Sequence, residues 1–230
     1  EKVRGRKYTL ETLANYLIGR FVVLKPDVVI APVDRYETLA IASVAALMNI
    51  PVAHIQGGEV TGTIDESIRH AITKLAQIHF TETEKAKEVV KELGEEPWRV
   101  HFVGAPYIDF IKQKLYTPES EVRKKFGLGP KEKFLVVLQH SVTTEPDESY
   151  TQMKKTLQAV KKTGLRAVVA YPCSDQGYQG VIDAIEEFGG GFKNIPAEDF
   201  IGLEVCASAL VGNSSAGIYE APYMYCPAVN

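Results

Sequence analysis

The stretch HIQGGEVTGTIDESIRHAITKL, residues 54–75, sets the reading of the whole chain. It follows a short apolar run, Ile50, Pro51, Val52 and Ala53, with the composition of a buried strand. The Gly57-Gly58 pair then turns the chain and delivers Glu59. Glycines at such a turn reach backbone conformations that other residues avoid, and they let a ligand approach closely. An acidic pair, Asp65 and Glu66, caps a helix that carries Arg69 and His70. Strand, glycine turn and polar helix in this order make one unit of an open α/β sheet. Ligands of such sheets bind beyond the carboxyl ends of the strands. The ionisable groups gathered here therefore mark a reaction site for something polar.

The alternation extends in both directions. Leu10, Leu13, Leu17 and Phe21 repeat at helical spacing. DVVIAP (27–32), PVAHI (51–55), HFTE (79–82) and RVHFVG (99–104) read as strands. Helices are expected from about Glu37 to Met48, from Asp65 to Ala76, and from a Thr83 cap to Leu93. The pattern restarts with FLVVLQ (134–139), RAVVAY (166–171) and ALVG (209–212) as strands. Helices between them run from about Pro146 to Lys162, Tyr178 to Phe188, and Pro196 to Cys206, and FKNI is a candidate short strand. Continuous apolar strands alternating with helices predict parallel sheets covered on both faces. Residues 112–132 are charged, carry Pro118, Gly129 and Pro130, and read as a connector. That places a boundary near residue 115 and gives two α/β domains, 1–115 and 116–230. Each shows about four strands where doubly wound units usually need about five or six, so both are expected to be incomplete.

Composition narrows the class. Of 230 residues, 45% are hydrophobic and 24% charged, an ordinary globular balance. A net charge of −3 gives no electrostatic case for general nucleic-acid or membrane binding. No apolar run approaches the ~20 residues of a membrane span, and EKVRGRKY at the N-terminus has no apolar segment of a secretory signal behind it. Cys173, Cys206 and Cys226 are an odd, widely spaced set that matches neither a disulfide framework nor a zinc pattern. A cytoplasmic setting is expected.

Four further places carry chemistry, each with a plainer alternative. Asp34-Arg35-Tyr36-Glu37 follows DVVIAP and reads either as an acid with a phosphate-binding guanidinium or as a helix cap with a salt bridge. His140, at the end of FLVVLQ and followed by Ser141, Thr143 and Thr144, suits phosphate or acid–base work or an ordinary loop. Gly212-Asn213-Ser214-Ser215-Ala216-Gly217 joins ALVG to a helix that holds Glu220 in its first turns. Small residues before a helix expose backbone N–H groups that bind phosphate, and Glu220 could accept from two ribose hydroxyls; a capped helix is the bland reading. The segment is neither a P-loop nor a dinucleotide fingerprint. His54, His79 and His101 lie in or beside strands and read as structural. Asp65 reads first as a helix cap, Arg69 as its i+4 partner, and His70 as a buried, satisfied histidine or a site residue.

Taken in order, DRYE, AHIQGGEVTGTIDESIRHAITKLAQIHF, VGAPYID, LQHSVTTE, YPCSD and VGNSSAGIYEAP resemble the hydrolysing UDP-N-acetylglucosamine 2-epimerases of sialic-acid-type biosynthesis. The resemblance covers nearly the whole chain. It implies a glycosyltransferase-B architecture, two Rossmann-like domains with the active site in the cleft between them. It also implies that the first domain lacks its opening strand and the second its closing segment. The reaction it implies converts UDP-N-acetylglucosamine and water to UDP and N-acetylmannosamine, by elimination of UDP to a 2-acetamidoglucal and then hydration. No metal or nicotinamide is required; the partner is the UDP-sugar, and a homodimer or homotetramer is expected. By resemblance, Asp34, Glu59 and Asp65 are the catalytic acids and His140 the histidine beside the diphosphate. Arg35, Ser214 and Ser215 would hold phosphate, Glu220 the ribose, and His70 part of the substrate. UDP-N,N′-diacetylbacillosamine is a second candidate substrate, and a non-catalytic UDP-sugar-binding fragment the alternative from another class. The chain departs from the family with Ser141 where proline is usual and Cys173 where asparagine is usual, and it ends before an expected arginine loop.

Overall fold

The structure, a computed structural model, describes residues 9–230. The basic stretch EKVRGRKY lies outside them. The described residues form two compact units, 9–106 and 107–230.

The first unit runs α1 (Leu10–Leu24), β1 (Val29–Pro32), α2 (Tyr36–Leu47), β2 (Val52–Ile55), α3 (Ile64–Leu75), β3 (Ile78–Thr81), α4 (Glu84–Glu92) and β4 (Val100–Phe102), with a 3₁₀ turn at Pro97–Arg99. Its four strands pair in parallel in the order β1-β2-β3-β4. Phe21, Val29, Val44, Val52, Ile68 and Ile72 form the core between helices and sheet. The small buried residues Ala40, Ala42 and Ala45 keep α2 slim where α1 and α3 pack on it. Thr9 caps α1 by accepting from the Thr12 N–H at 3.1 Å, and Thr83 caps α4 by accepting from Ala86 at 3.0 Å.

His54 is fully buried, with Nε2 donating to the Val33 carbonyl at 3.2 Å and Nδ1 3.1 Å from Thr73 Oγ1. Burial pushes its pKa down to about 4, so the ring is neutral. His79 is equally buried and pairs with Glu95 at 3.2 Å. Both serve the fold. His101 instead stands exposed on β4 beside the Phe80 ring.

The second unit runs α5 (Pro106–Lys112, starting at the boundary), α6 (Glu119–Lys125), β5 (Phe134–Val137), α7 (Ser149–Lys162), β6 (Arg166–Val169), α8 (Tyr178–Phe188), α9 (Ala197–Cys206), β7 (Ala209–Val211), α10 (Ala216–Tyr219) and β8 (Ala228–Val229), with 3₁₀ turns at Pro146–Glu148 and Ala221–Met224. Its strands are parallel in the order β6-β5-β7-β8. β5 is buried along its whole length, as its unbroken apolar run requires. The chain steps outward from β5 to β6 and then returns to the other side of β5 as β7. The carboxyl ends of β5 and β7 therefore flank a topological switch point.

Three local readings of the sequence need correction. The charged connector contains a helix, α6, because two inward residues suffice to anchor it. Val122 is fully buried, and Arg123 donates to the Gly129 and Glu132 carbonyls at 2.9 and 3.0 Å. FKNI forms no strand; Phe192 makes a single parallel bridge to Ala170. The helix after the serine loop is one turn long and stops before Glu220, where the chain changes to a 3₁₀ turn containing Pro222.

Candidate functional site

In the first unit the polar groups gather at the carboxyl ends of β1 and β2. Val33 takes a left-handed conformation after β1, and Thr38 in α2 donates to the Pro32 carbonyl at 2.9 Å, which fixes the strand-to-helix turn. Asp34 lies in that turn and forms an ion pair with Arg69 of α3. The other arm of the same guanidinium, Nη1, donates to the main-chain carbonyl of Glu59 at 2.6 Å. Arg69 thus does not serve Asp65, its neighbour by helical spacing. Its partners are on two separate strand-end loops.

The glycine pair is held by close packing. Gly58 sits at φ +90°, where a Cβ would come within 2.1 Å of the Ala86 carbonyl oxygen. At Gly57 a Cβ would stand 3.0 Å from His54 Nδ1. Glu59 emerges from this seat half-buried, and its Oε1 is buried with no hydrogen-bond partner. The following loop is tied back by Glu66, whose Oε2 accepts from the Thr61 and Gly62 N–H groups at 2.6 and 2.7 Å. Those two bonds hold the Glu66 carboxyl below the usual carboxylate range.

Asp65 occupies the first turn of α3 and is exposed; the cap position belongs to Thr63, so the acid is not the cap. His70 lies one turn on, with Nε2 at 4.0 Å from Glu66 Oε1 and Nδ1 buried without a hydrogen-bond partner. It is therefore not a fully satisfied core histidine. Arg35 stands at the N-cap of α2, its Nε 3.4 Å from Glu37.

In the second unit the groups gather at the switch point. Gly212 has φ +130°, and a Cβ there would meet the Leu138 carbonyl oxygen at 2.1 Å. That contact draws the loop after β7 against the loop after β5. Asn213 then clasps His140. Its Oδ1 accepts from the His140 N–H at 2.7 Å and its Nδ2 donates to the His140 carbonyl at 3.0 Å. The Cys173 N–H donates to His140 Nδ1 at 3.2 Å, which leaves the proton of the neutral ring on Nε2. Beside it, the Ser141 hydroxyl is buried with no partner.

Ser214 and Ser215 precede α10, and the Ser214 hydroxyl accepts from the Ala216 N–H at 3.3 Å. One helical turn supplies little macrodipole, so any hold on phosphate here rests on hydroxyls and loop N–H groups. Glu220 Oε2 is buried without a partner, and burial raises its pKa. Near it on α9, Glu204 is 1% exposed with both carboxyl oxygens unpartnered. Burial, reinforced by the Glu220 charge, pushes Glu204 up to about 8, so it carries a proton at neutral pH. Cys226 is pushed up to about 11, by burial first and then by Glu204.

The described residues hold no group of three or more His, Cys, Asp or Glu placed to bind a metal ion. Sequence reasoning missed Asn213, Arg69's true partners and Glu204. An asparagine directly after the Gly212 turn was the one signal for the first; the others depend on contacts between distant residues.

A profile of the UDP-N-acetylglucosamine 2-epimerase family matches residues 9–230. The chain is 35% identical over 210 residues to the UDP-N,N′-diacetylbacillosamine 2-epimerase (hydrolyzing) of Legionella pneumophila, covering 89% of this chain and 56% of that one. It is 35% identical over 211 residues to the UDP-N-acetylglucosamine 2-epimerase of Neisseria meningitidis serogroup B, covering 90% and 56%. The chain spans about half the length of these curated relatives. Among solved structures, the fold matches UDP-GlcNAc 2-epimerase from Neisseria meningitidis bound to UDP-GlcNAc, with TM-score 0.79 and 20% identity over 99% of this chain and 66% of that one. It also matches the Methanocaldococcus jannaschii enzyme in complex with UDP-GlcNAc and UDP, with TM-score 0.77 and 19% identity over 95% and 64%. No helix among the described residues is long and apolar enough to cross a membrane.

Proposed function

The chain belongs to the UDP-N-acetylglucosamine 2-epimerase family, and from that premise we propose that the protein is a hydrolysing nucleotide-sugar 2-epimerase of glycosyltransferase-B type. It takes UDP-N-acetylglucosamine and water to UDP and N-acetylmannosamine. The observation that carries the reading is the placement of Asp34 and Glu59 at neighbouring strand ends, with Asp65 in the first turn of the next helix.

The chemistry asks for little else. A carboxylate removes the proton from C2 of the sugar as the C1–oxygen bond to UDP breaks, leaving a 2-acetamidoglucal. Water then adds its oxygen to C1 while a carboxylic acid returns a proton to C2 on the opposite face. General acid–base catalysis of this kind contributes roughly 10²–10⁴-fold. In this proposal Asp34, Glu59 and Asp65 share the proton transfers. Glu59 Oε1, buried without a partner, has a lone pair to offer. His140 donates from Nε2 to the departing diphosphate, Ser214, Ser215 and Arg35 bind phosphate, Glu220 accepts from the ribose, and His70 offers its open Nδ1 to the sugar. Neither metal nor nicotinamide is needed. The enzyme works as a homodimer or homotetramer in the cytoplasm.

A second substrate has a specific observation behind it. The relative named for UDP-N,N′-diacetylbacillosamine matches at the same 35% identity as the one named for UDP-N-acetylglucosamine. Incubation with each UDP-sugar, with UDP and free sugar quantified separately, tests both readings. Release of UDP with free N-acetylmannosamine supports the first substrate. Release only from the bacillosamine sugar supports the second. UDP binding without release from either would mean a binding module.

A further inference from the structure

We infer that Arg69 is a positioning residue: it holds the Asp34 carboxylate and the Glu59 segment in fixed register across the carboxyl ends of β1 and β2. The inference rests on the proposed function for what that register serves.

The geometry is that of a fork with two tines. A guanidinium is planar and presents donors in fixed directions, so two acceptors bonded to different arms are fixed relative to one another. Here one arm meets Asp34 and the other meets the Glu59 carbonyl at 2.6 Å. The Arg69 side chain is only 6% exposed, so water cannot replace either partner without opening the structure. The two acceptors are 25 residues apart in sequence and belong to separate loops. Both loops carry candidate proton-transfer groups.

A purely structural ion pair would anchor helix to sheet, and α3 does not need one. Ile68 and Ile72 already pack α3 into the core. The far end of the Glu59 loop is tied independently by Glu66 to Thr61 and Gly62. Loss of Arg69 therefore frees the Asp34 carboxylate and the Glu59 end of the loop, while the helix and the rest of the loop keep their anchors.

Two variants of the whole protein test this, Arg69→Gln and Arg69→Lys, each followed by steady-state UDP release and by hydrogen exchange of the amides of residues 57–60. For Gln, kcat is expected to fall by about 100-fold, the penalty of a misplacement near 1 Å, with KM within about threefold. Lysine keeps the charge but cannot fork, so it should restore part of kcat and none of the rigidity. Amides 57–60 should exchange at least about tenfold faster in both variants while those of β2 and α3 stay protected. A Gln variant with wild-type kcat, or unchanged exchange at 57–60, overturns the inference. If Gln does not fold, the same two readouts on Lys decide it. If the wild type releases no UDP from any sugar, the proposed function fails, and the exchange result alone still decides whether Arg69 holds the segment.

Discussion

Asn213 grips the main chain of His140 with both ends of its amide, accepting at 2.7 Å and donating at 3.0 Å across 73 residues of sequence. The pair spans the switch point of the second sheet, the place where an open α/β sheet takes its ligand. His140 thereby has its main chain fixed by one loop and its ring fixed by another, through Cys173. Asn213→Ala removes two hydrogen bonds worth about 1 kcal/mol each. UDP affinity is expected to drop by about tenfold or somewhat more as His140 loses its hold, together with a thermal midpoint lowered by a few degrees, as the loss of two such bonds requires. Calorimetric titration with UDP checks this; an unaltered Kd would remove Asn213 from the site.

Glu59→Gln keeps the size of the side chain and removes its basicity. Turnover is expected to fall by roughly 10²–10⁴-fold while UDP binding and the circular dichroism spectrum stay as in the wild type. Near-normal turnover would take Glu59 out of the proton transfers.

The seat of that residue is equally specific. Gly58→Ala would bring a Cβ within 2.1 Å of the Ala86 carbonyl at φ +90°. Either the Gly57-Gly58 turn or α4 must move. A loss of about 2 kcal/mol or more is expected, together with loss of turnover, since the displaced residue is next to Glu59. Chemical denaturation shows the first and UDP release the second.

Glu204 should make stability fall with rising pH. Its carboxyl ionises in the unfolded chain near the ordinary value of 4.5 but in the folded protein only at about 8. Between those values the folded state holds the extra proton, so raising the pH favours unfolding. The full cost, on the order of 5 kcal/mol, is reached above the folded value. His54 acts on the acid side. Its folded pKa of about 4 lies below the ordinary imidazole value of 6.5, so stability is lost as pH falls between them. Glu204→Leu should raise the thermal midpoint clearly at pH 9, little at pH 4.5, and leave the acid limb in place. A pH-independent shift would mean that the buried carboxyl is not the group responsible.

The fold was largely legible because strand and helix signals here are local. Apolar runs of β5, β2 and β7 and the helical spacing of α1 appear within single segments. What escaped lay in pairings between segments. Helical spacing assigned Arg69 to Asp65, whereas the folded chain assigns it to Asp34, 35 residues away. α6 is hidden because its charged residues other than Arg123 face solvent, and only Val122 and Arg123 turn inward. The serine-loop helix is shorter than its sequence suggests, because glycine and small residues signal a start while Pro222 and the switch to a 3₁₀ turn set its end. Glu204 carried no sequence signal at all: a glutamate on an amphipathic helix is ordinarily solvated, and only the packed neighbours Glu220 and Cys226 reveal that it is buried.

One experiment decides whether the protein eliminates and hydrates. UDP-N-acetylglucosamine is turned over in deuterated water, and the sugar product is examined by proton NMR and mass spectrometry. Free UDP with N-acetylmannosamine carrying one deuterium at C2 is the expected result, since the proton returned to C2 comes from solvent. Free UDP with hydrogen retained at C2, or deuterated UDP-N-acetylmannosamine with no free UDP, would contradict it.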